Sequence, residues 1–408
     1  MNNYSNKDLY LLRIKKNNKK YYYFAFILLL VFSLGVAVQN FSSYLPSINK
    51  IVGGLIFCLF IVLSINKKLK LPIEIWFLSL FIIWGLLISN LIAIDYKASI
   101  NYLSFLFQIL LIVISIIGFI YFWFNLDFVF VSIIITSVVI VLYSIFSGDL
   151  SNILAQNTTA RAVGFLTNPN ELGLYGFLGI TSIFWFWKHP FVKIPKIFIL
   201  LIIFLLTIGI IASGSRKSFV ALIFFLILWV IFCFSASIKN NFLIFIMAIS
   251  ILLSSIYFVD YIYDNTSLGE RLKVSMDNPE IDTKRIDLYR EGLIMFQRSP
   301  ITGVGLGNFP IYSRHNTYSH SDYIETLATT GLVGFLLYHF IYISLFVRIF
   351  QLKKMIKVSL YQYRLGYFFA ILLSLMLLAF TRINFLNVYS WITIAAIIGY
   401  THKLKNLT

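Results

Sequence analysis

Residues 318–338 read YSHSDYIETLATTGLVGFLLY. The first half is polar and holds a histidine. The second half is an apolar run of the kind that enters a bilayer, and runs like it recur along the whole chain. Of 408 residues, 60% are hydrophobic, 18% aromatic and only 12% charged, where a soluble protein carries about 25% charge. About 20 apolar residues cross a membrane as a helix. That rule predicts about twelve transmembrane helices: 22–38, 51–65, 73–94, 102–124, 126–146, 171–187, 196–213, 218–234, 241–259, 331–350, 363–380 and 384–401. Barrel strands would be about 10 residues long and alternate, so a helical bundle is the remaining option. The predicted fold is therefore an all-α polytopic membrane protein with no soluble domain large enough to hold its own core. The first apolar run has no small-residue cleavage site, and no signal peptide is expected.

The net charge of +17 would point to nucleic acid in a soluble protein. Here topology accounts for most of it. With both termini in the cytoplasm, 20 of the 33 basic residues fall on the cytoplasmic side, and 17 of those are Lys, as the positive-inside rule demands. Eight of the other 13 are Arg: Arg161, Arg216, Arg271, Arg285, Arg290, Arg298, Arg314 and Arg382. These break the trend and ask for a reason. Arginine binds phosphate bidentately, so arginines at headgroup level suit a lipid pyrophosphate; pairing with anionic headgroups or carboxylates is the plainer alternative. Cys58 and Cys233 lie in apolar runs, so neither a disulfide nor a metal site is expected.

The domain plan has an N-terminal bundle of about nine helices (1–259), a large external loop with short helices (260–330), and about three C-terminal helices (331–408). The loop holds 10 of the 16 acidic residues. Loops of that length are usually functional. Asp282 or Thr283 is a candidate cap for a helix reaching about Gln297, with Ile286, Tyr289, Leu293 and Phe296 on one face and Arg285, Asp287, Arg290 and Glu291 polar. It reads either as an interfacial helix or as an ordinary amphipathic one. The GVGLGNF stretch at 303–309 follows no strand, so it is no dinucleotide fingerprint; it is a tight turn or a close approach to ligand.

Ser319 and Asp322 form an S-x-x-D capping pattern before Tyr323, Ile324 and Leu327. With Ser319 as N-cap, His320 takes the first helical position. The helix dipole then favours its neutral form, and the first-turn N–H groups make an anion site. A solvated loop histidine is the plainer alternative. Of five histidines, only His315 and His320 are predicted to face outward.

The chain resembles the O-antigen ligase and O-antigen or capsule polymerase superfamily of bacterial envelope enzymes. A His–Asn/Ser/Gln–nine residues–Gly-x-x-Gly signature reads as His320, Ser321, Gly331 and Gly334; His315-Asn316 does not fit the spacing. Ser215-Arg216, the set Arg285, Leu288, Tyr289, Pro300, Gly303 and Gly305, and the GFLTNPN run from Gly164 to Asn170 match three further motifs in order. The resemblance implies glycosyl transfer at the outer face of the cytoplasmic membrane, from a glycan on undecaprenyl pyrophosphate. It implies that Arg216, Arg285 and Arg161 hold the pyrophosphate and that His320 is the base. Asp322, Glu325, Asn170 and Arg290 are supporting or sugar-contacting candidates, with Glu325 ranked second to Asp322 because on a helix it points away from His320. No metal or other cofactor is expected. The expected partners are the lipid-linked oligosaccharide and membrane lipid, with a chain-length regulator and a flippase as further candidates. Ser321 favours a polymerase; a ligase onto lipid A–core is the alternative. A flippase is a third reading, disfavoured because the predicted helices are nearly free of charge.

Overall fold

The computed structural model describes residues 19–39, 44–65, 69–147, 161–163, 166, 168–234, 243, 246–254, 266, 268–269 and 280–408. The described residues form helices and connections, with no strand among them. In chain order the helices are α1 (Lys19–Val38), α2 (Leu45–Ser64), α3 (Ile73–Ile92), α4 (Tyr96–Trp123), α5 (Asp127–Phe146), α6 (Pro169–Ile183), α7 (Lys196–Ala212) and α8 (Arg216–Phe234). A helical stretch at 246–254 follows. Then come α9 (Glu280–Arg298), the single turn α10 (Phe309–Tyr312), α11 (Asp322–Met355), α12 (Ser359–Ala379) and α13 (Val388–Lys405).

Eight of them, α1 to α5, α8, α11 and α12, are long and apolar enough to cross a membrane. The chain is thus a multi-pass membrane protein. The expectation of twelve counted α6, α7 and α13 as well. α6 has 15 residues and α7 has 17, and α13 ends on His402, Lys403 and Lys405. The residues of α6 from Leu172 to Ile183 and of α13 from Val388 to Thr401 are all buried. Helices wrapped by protein rather than lipid tolerate short length and polar side chains. The ninth predicted span, 241–259, lies largely outside the described residues.

Ridges of paired helices pack lengthwise: α8 along α12, α4 along α13, α3 along α11, and α6 between α5 and α7. Within this core, Arg348 of α11 pairs with Glu74 of α3 at 2.6 Å, both buried. Trp229 donates to the Tyr363 hydroxyl at 3.1 Å, and that hydroxyl donates to the Phe184 carbonyl at 3.2 Å. Buried polar groups of this kind fix helix register, because an unmade bond in a dry interior is costly.

α9 docks on α11. Ile286 and Leu293 are exposed, while Leu288, Gly292 and Met295 are buried. Gly292 sits where a Cβ would come 2.3 Å from Ile324. Close approach to α11 selects the stripe with the glycine, and Ile286 and Leu293 lie outside that contact.

α11 is broken at Gly331, whose φ of 64° and ψ of −169° belong to glycine alone. A helix break strands carbonyls. Here the Gly-rich turn supplies their donors: Val304 N donates to Ala328 O at 3.0 Å and Gly305 N to Thr329 O at 2.9 Å. Trp84 Nε1 donates to Thr330 O at 2.9 Å. Leu332 N donates to Pro300 O at 2.8 Å. The 303–309 stretch is therefore a tight turn that seals the break. It is fastened to the start of α4 by Asn308, whose Oδ1 accepts from Asp95 N at 2.7 Å and whose Nδ2 donates to Ser99 Oγ at 2.9 Å.

Candidate active site

The positively charged ends of three helices meet at one end of the bundle. Asn168 caps α6, accepting from Asn170 N at 2.9 Å. Lys217 is the second residue of α8. Asn387 caps α13, accepting from Ser390 N at 2.9 Å. All three line one cavity of about 250 Å³. Its walls also carry Arg285, His320, Arg382, Glu171, Tyr102 and Tyr318. Two arginines and Lys217 thus face one carboxylate, and convergent helix N-termini add positive potential. Such a cavity attracts an anion.

Each charged group has an identifiable support. Arg285 reaches in from α9, which is tied down by Tyr289 donating to Phe380 O at 2.8 Å. Lys217 Nζ donates to Thr381 O at 3.1 Å. Arg382 pairs with Glu171 at 2.5 Å, yet its buried Nε has no partner among the described residues. A buried donor left unpaired costs about 1–3 kcal/mol.

His320 is half-buried and lies outside the helix, with φ of +60°. The expected cap is corrected here: Ser321, not Ser319, is the N-cap of α11, and its side chain makes no capping bond. Ser319 is instead fully buried behind the histidine. Its N–H donates to Glu325 Oε2 at 2.8 Å and its hydroxyl to Ser321 O at 2.9 Å. These bonds hold the left-handed turn that turns His320 out. The Tyr318 ring lies 4.2 Å from the imidazole, tilted by 55°. The imidazole is pushed down from its ordinary value to about 4, first by burial and then by repulsion from Arg285, Lys217 and Lys284. It is neutral at pH 7, and burial and cations do this work rather than a dipole at its own helix position.

The remaining candidates fall in three groups. Asp322 and Glu325 are fully buried and do not line the cavity. Asp322 accepts from Asn384 N at 2.8 Å, Phe385 N at 3.1 Å and Tyr338 OH at 2.7 Å. It clamps the histidine loop to the turn that carries Arg382, and Glu325 clamps the loop to its own helix. Asn170 lines the cavity, and Arg161 stands behind it, donating to Asn170 Oδ1 at 2.9 Å and to Ser213 O at 2.8 Å. Arg216 is half-buried but does not line the cavity, and Arg290 is exposed and away from it. His315 sits 3.8 Å from Asp287 of α9, outside the cavity. Gly164, Phe165 and Thr167 of the 164–170 motif lie outside the described residues.

Sequence reasoning missed Lys217, Arg382 and Glu171. Signals existed for all three. Lys217 adjoins Arg216, Arg382 was among the anomalous arginines, and Glu171 directly follows the NPN run. Among the described residues, no group of three or more His, Cys, Asp or Glu side chains is placed to hold a metal ion.

No curated protein matches the chain. The model of the family described as O-Antigen ligase matches residues 199–339. That stretch runs from α7 to the middle of α11 and contains Lys217, Arg285, His320 and both signature glycines, while Glu171 and Arg382 lie to either side of it. Over residues 199–339, the stretch that holds the cavity's histidine, the chain is therefore similar to the O-antigen ligase family.

Proposed function

We propose that this protein is a membrane glycosyltransferase that polymerises oligosaccharide repeat units carried on undecaprenyl pyrophosphate, working at the outer face of the cytoplasmic membrane. The observation that supports it most is one cavity holding a neutral imidazole beside Lys217, Arg285 and Arg382. The cations take the donor's pyrophosphate. An acceptor sugar hydroxyl then attacks the anomeric carbon from the side opposite the pyrophosphate. The new C–O bond forms as the bond to the phosphate oxygen breaks, and the configuration inverts. Charge that grows on the leaving pyrophosphate is met by fixed cations, which need no reorganisation. His320 accepts the hydroxyl proton and afterwards releases it to solvent.

A base pushed down to about 4 is weak in the empty enzyme. The anionic donor itself corrects this. Its charge offsets Arg285 and Lys217, which raises the proton affinity of His320 only once substrate is bound. The donor thereby switches on the base.

The same chemistry with lipid A–core as acceptor is the ligase reading. A flippase would need charged groups along a membrane path, whereas the charged side chains at this cavity gather at one end of the bundle. The deciding experiment is a gel of surface and lipid-linked glycans from a deletion strain complemented with wild type, His320→Ala or His315→Ala. A polymerase leaves single repeat units in the deletion and with His320→Ala, and recovers long chains with His315→Ala. Long chains held on the lipid carrier identify a ligase. Repeat units trapped on the cytoplasmic side would sink the catalytic reading.

A further inference from the structure

A second hollow, of about 540 Å³, lies between α1, α2 and α4. Asn101 and Val388 line it, and their chain neighbours Tyr102 and Asn387 line the cationic cavity. Its composition is odd for a groove between membrane helices. On α4, Asn101, Ser104 and Gln108 share one face at helical spacing, and Gln108 is about 18 Å along the helix from its start. Polar side chains at that depth are expensive unless they serve a ligand.

Asn49 is the most telling of the groove's residues. It is 94% buried (6% exposed), it lines the hollow, and its Nδ2 has no hydrogen-bond partner among the described residues. Room for it exists only because residue 35 is glycine, where a Cβ would come 2.0 Å from Asn49 Oδ1. The protein has made space for an amide it leaves unsatisfied. Lys50 stands beside it, and no carboxylate among the described residues lines the groove. The wall of Gly53, Gly54 and Ile112 is apolar. The groove is thus polar and cationic in one part and apolar in another, which matches an anionic amphiphile.

We propose that this groove holds the membrane-anchored acceptor, a second polyprenyl-phosphate-linked saccharide, with its head at Asn49, Lys50 and Asn101 and its chain along Gly53, Gly54 and Ile112. This rests on the glycosyl-transfer reading above. A groove for the donor's own chain would need only the apolar wall. The separate amide and lysine set marks an independent headgroup. From there the acceptor's sugar reaches His320 past Tyr102 and Asn387.

The test uses full-length protein in nanodiscs and geranylgeranyl diphosphate as probe, with bound equivalents counted by native mass spectrometry. Wild type binds two. Ser104→Trp, which fills the groove from an exposed position, binds one; Arg285→Met binds one; the double variant binds none. Asn49→Leu keeps the wild-type melting midpoint, or raises it, and binds one. A wild-type count of one, lost in both single variants, places the donor's chain in the groove and overturns the proposal. Two equivalents retained by Ser104→Trp overturn it as well. Transfer is followed separately with lipid-linked donor and acceptor. There Ser104→Trp raises the half-saturating acceptor concentration about tenfold or more and leaves the donor's unchanged. Wild type that binds two probes but never transfers defeats the glycosyl-transfer reading, and the acceptor's role with it.

Discussion

Replacing Gly331 by alanine tests the link between the signature glycines and the histidine. An added Cβ would lie 2.1 Å from Ile301 O and 2.3 Å from Ile301 C, both backbone atoms that no rotamer change can move. The φ of +64° adds conformational strain of about 1–3 kcal/mol for a residue with a side chain. Relief requires the 300–305 turn to lift, which gives up the Leu332–Pro300, Val304–Ala328 and Gly305–Thr329 bonds at ~1 kcal/mol net each. The sum is about 4–6 kcal/mol, or roughly a 5–7 °C fall in melting midpoint for a chain of 408 residues. The seal lies nine residues beyond the histidine loop, so transfer activity falls with it. Gly334→Ala is the control. There the nearest atoms are Thr330 Oγ1 at 2.2 Å, Thr330 Cβ at 2.4 Å and Trp84 at 3.1 Å, none of them backbone, and Gly334 needs no positive φ; the expected cost is about 1–3 kcal/mol. The assay is thermal unfolding in nanodiscs alongside transfer of lipid-linked glycan. A Gly331→Ala protein with an unchanged midpoint and more than about half its activity would refute the reasoning.

Three further outcomes are expected. His320→Ala lowers transfer by about 10²–10⁴ without changing the melting midpoint, while His315→Ala is close to wild type in single-turnover measurements. In the pH profile, kcat/KM stays flat from neutral pH to about 5 and falls as His320 protonates near 4. The profile of kcat breaks at higher pH because bound donor offsets the cations, and Arg285→Met moves the free-enzyme break upward. The stability sign agrees: the native imidazole titrates below its ordinary 6.5, so the unfolded chain binds more protons between about 4 and 6.5. Its contribution is intact above 6.5 and is lost as pH falls through that window, more weakly than for a fully buried group because His320 is half-exposed. Glu171→Gln removes the partner of buried Arg382 and lowers stability by about 2–3 kcal/mol in unfolding titrations. It also tightens binding of a pyrophosphate probe, and equal or weaker binding would contradict the cationic reading of the cavity.

Much of this molecule is written locally. Hydropathy runs and the missing charge define an α-helical membrane protein, since a bilayer accepts few other backbones. The spacing of His320, Ser321, Gly331 and Gly334 survives as geometry, because a turn and a helix break depend on residues near in sequence. Arg285 and Asn170 were also legible, from motifs on single elements. Other features depend on which helices become neighbours. Adjacent residues on a helix point about 100° apart, so whether Arg216 or Lys217 faces the cavity is settled by how α8 packs on α12. Arg382 and Glu171 are 211 residues apart and meet only across α6 and the α12–α13 turn. The carboxylates of Asp322 and Glu325 look catalytic beside a histidine in one dimension, yet packing buries both as clamps. Local composition and spacing set the helices and the chemical groups available. Tertiary structure alone decided which groups share a cavity and what burial and neighbouring charge do to them, because those effects act through space over a few ångströms and not along the chain.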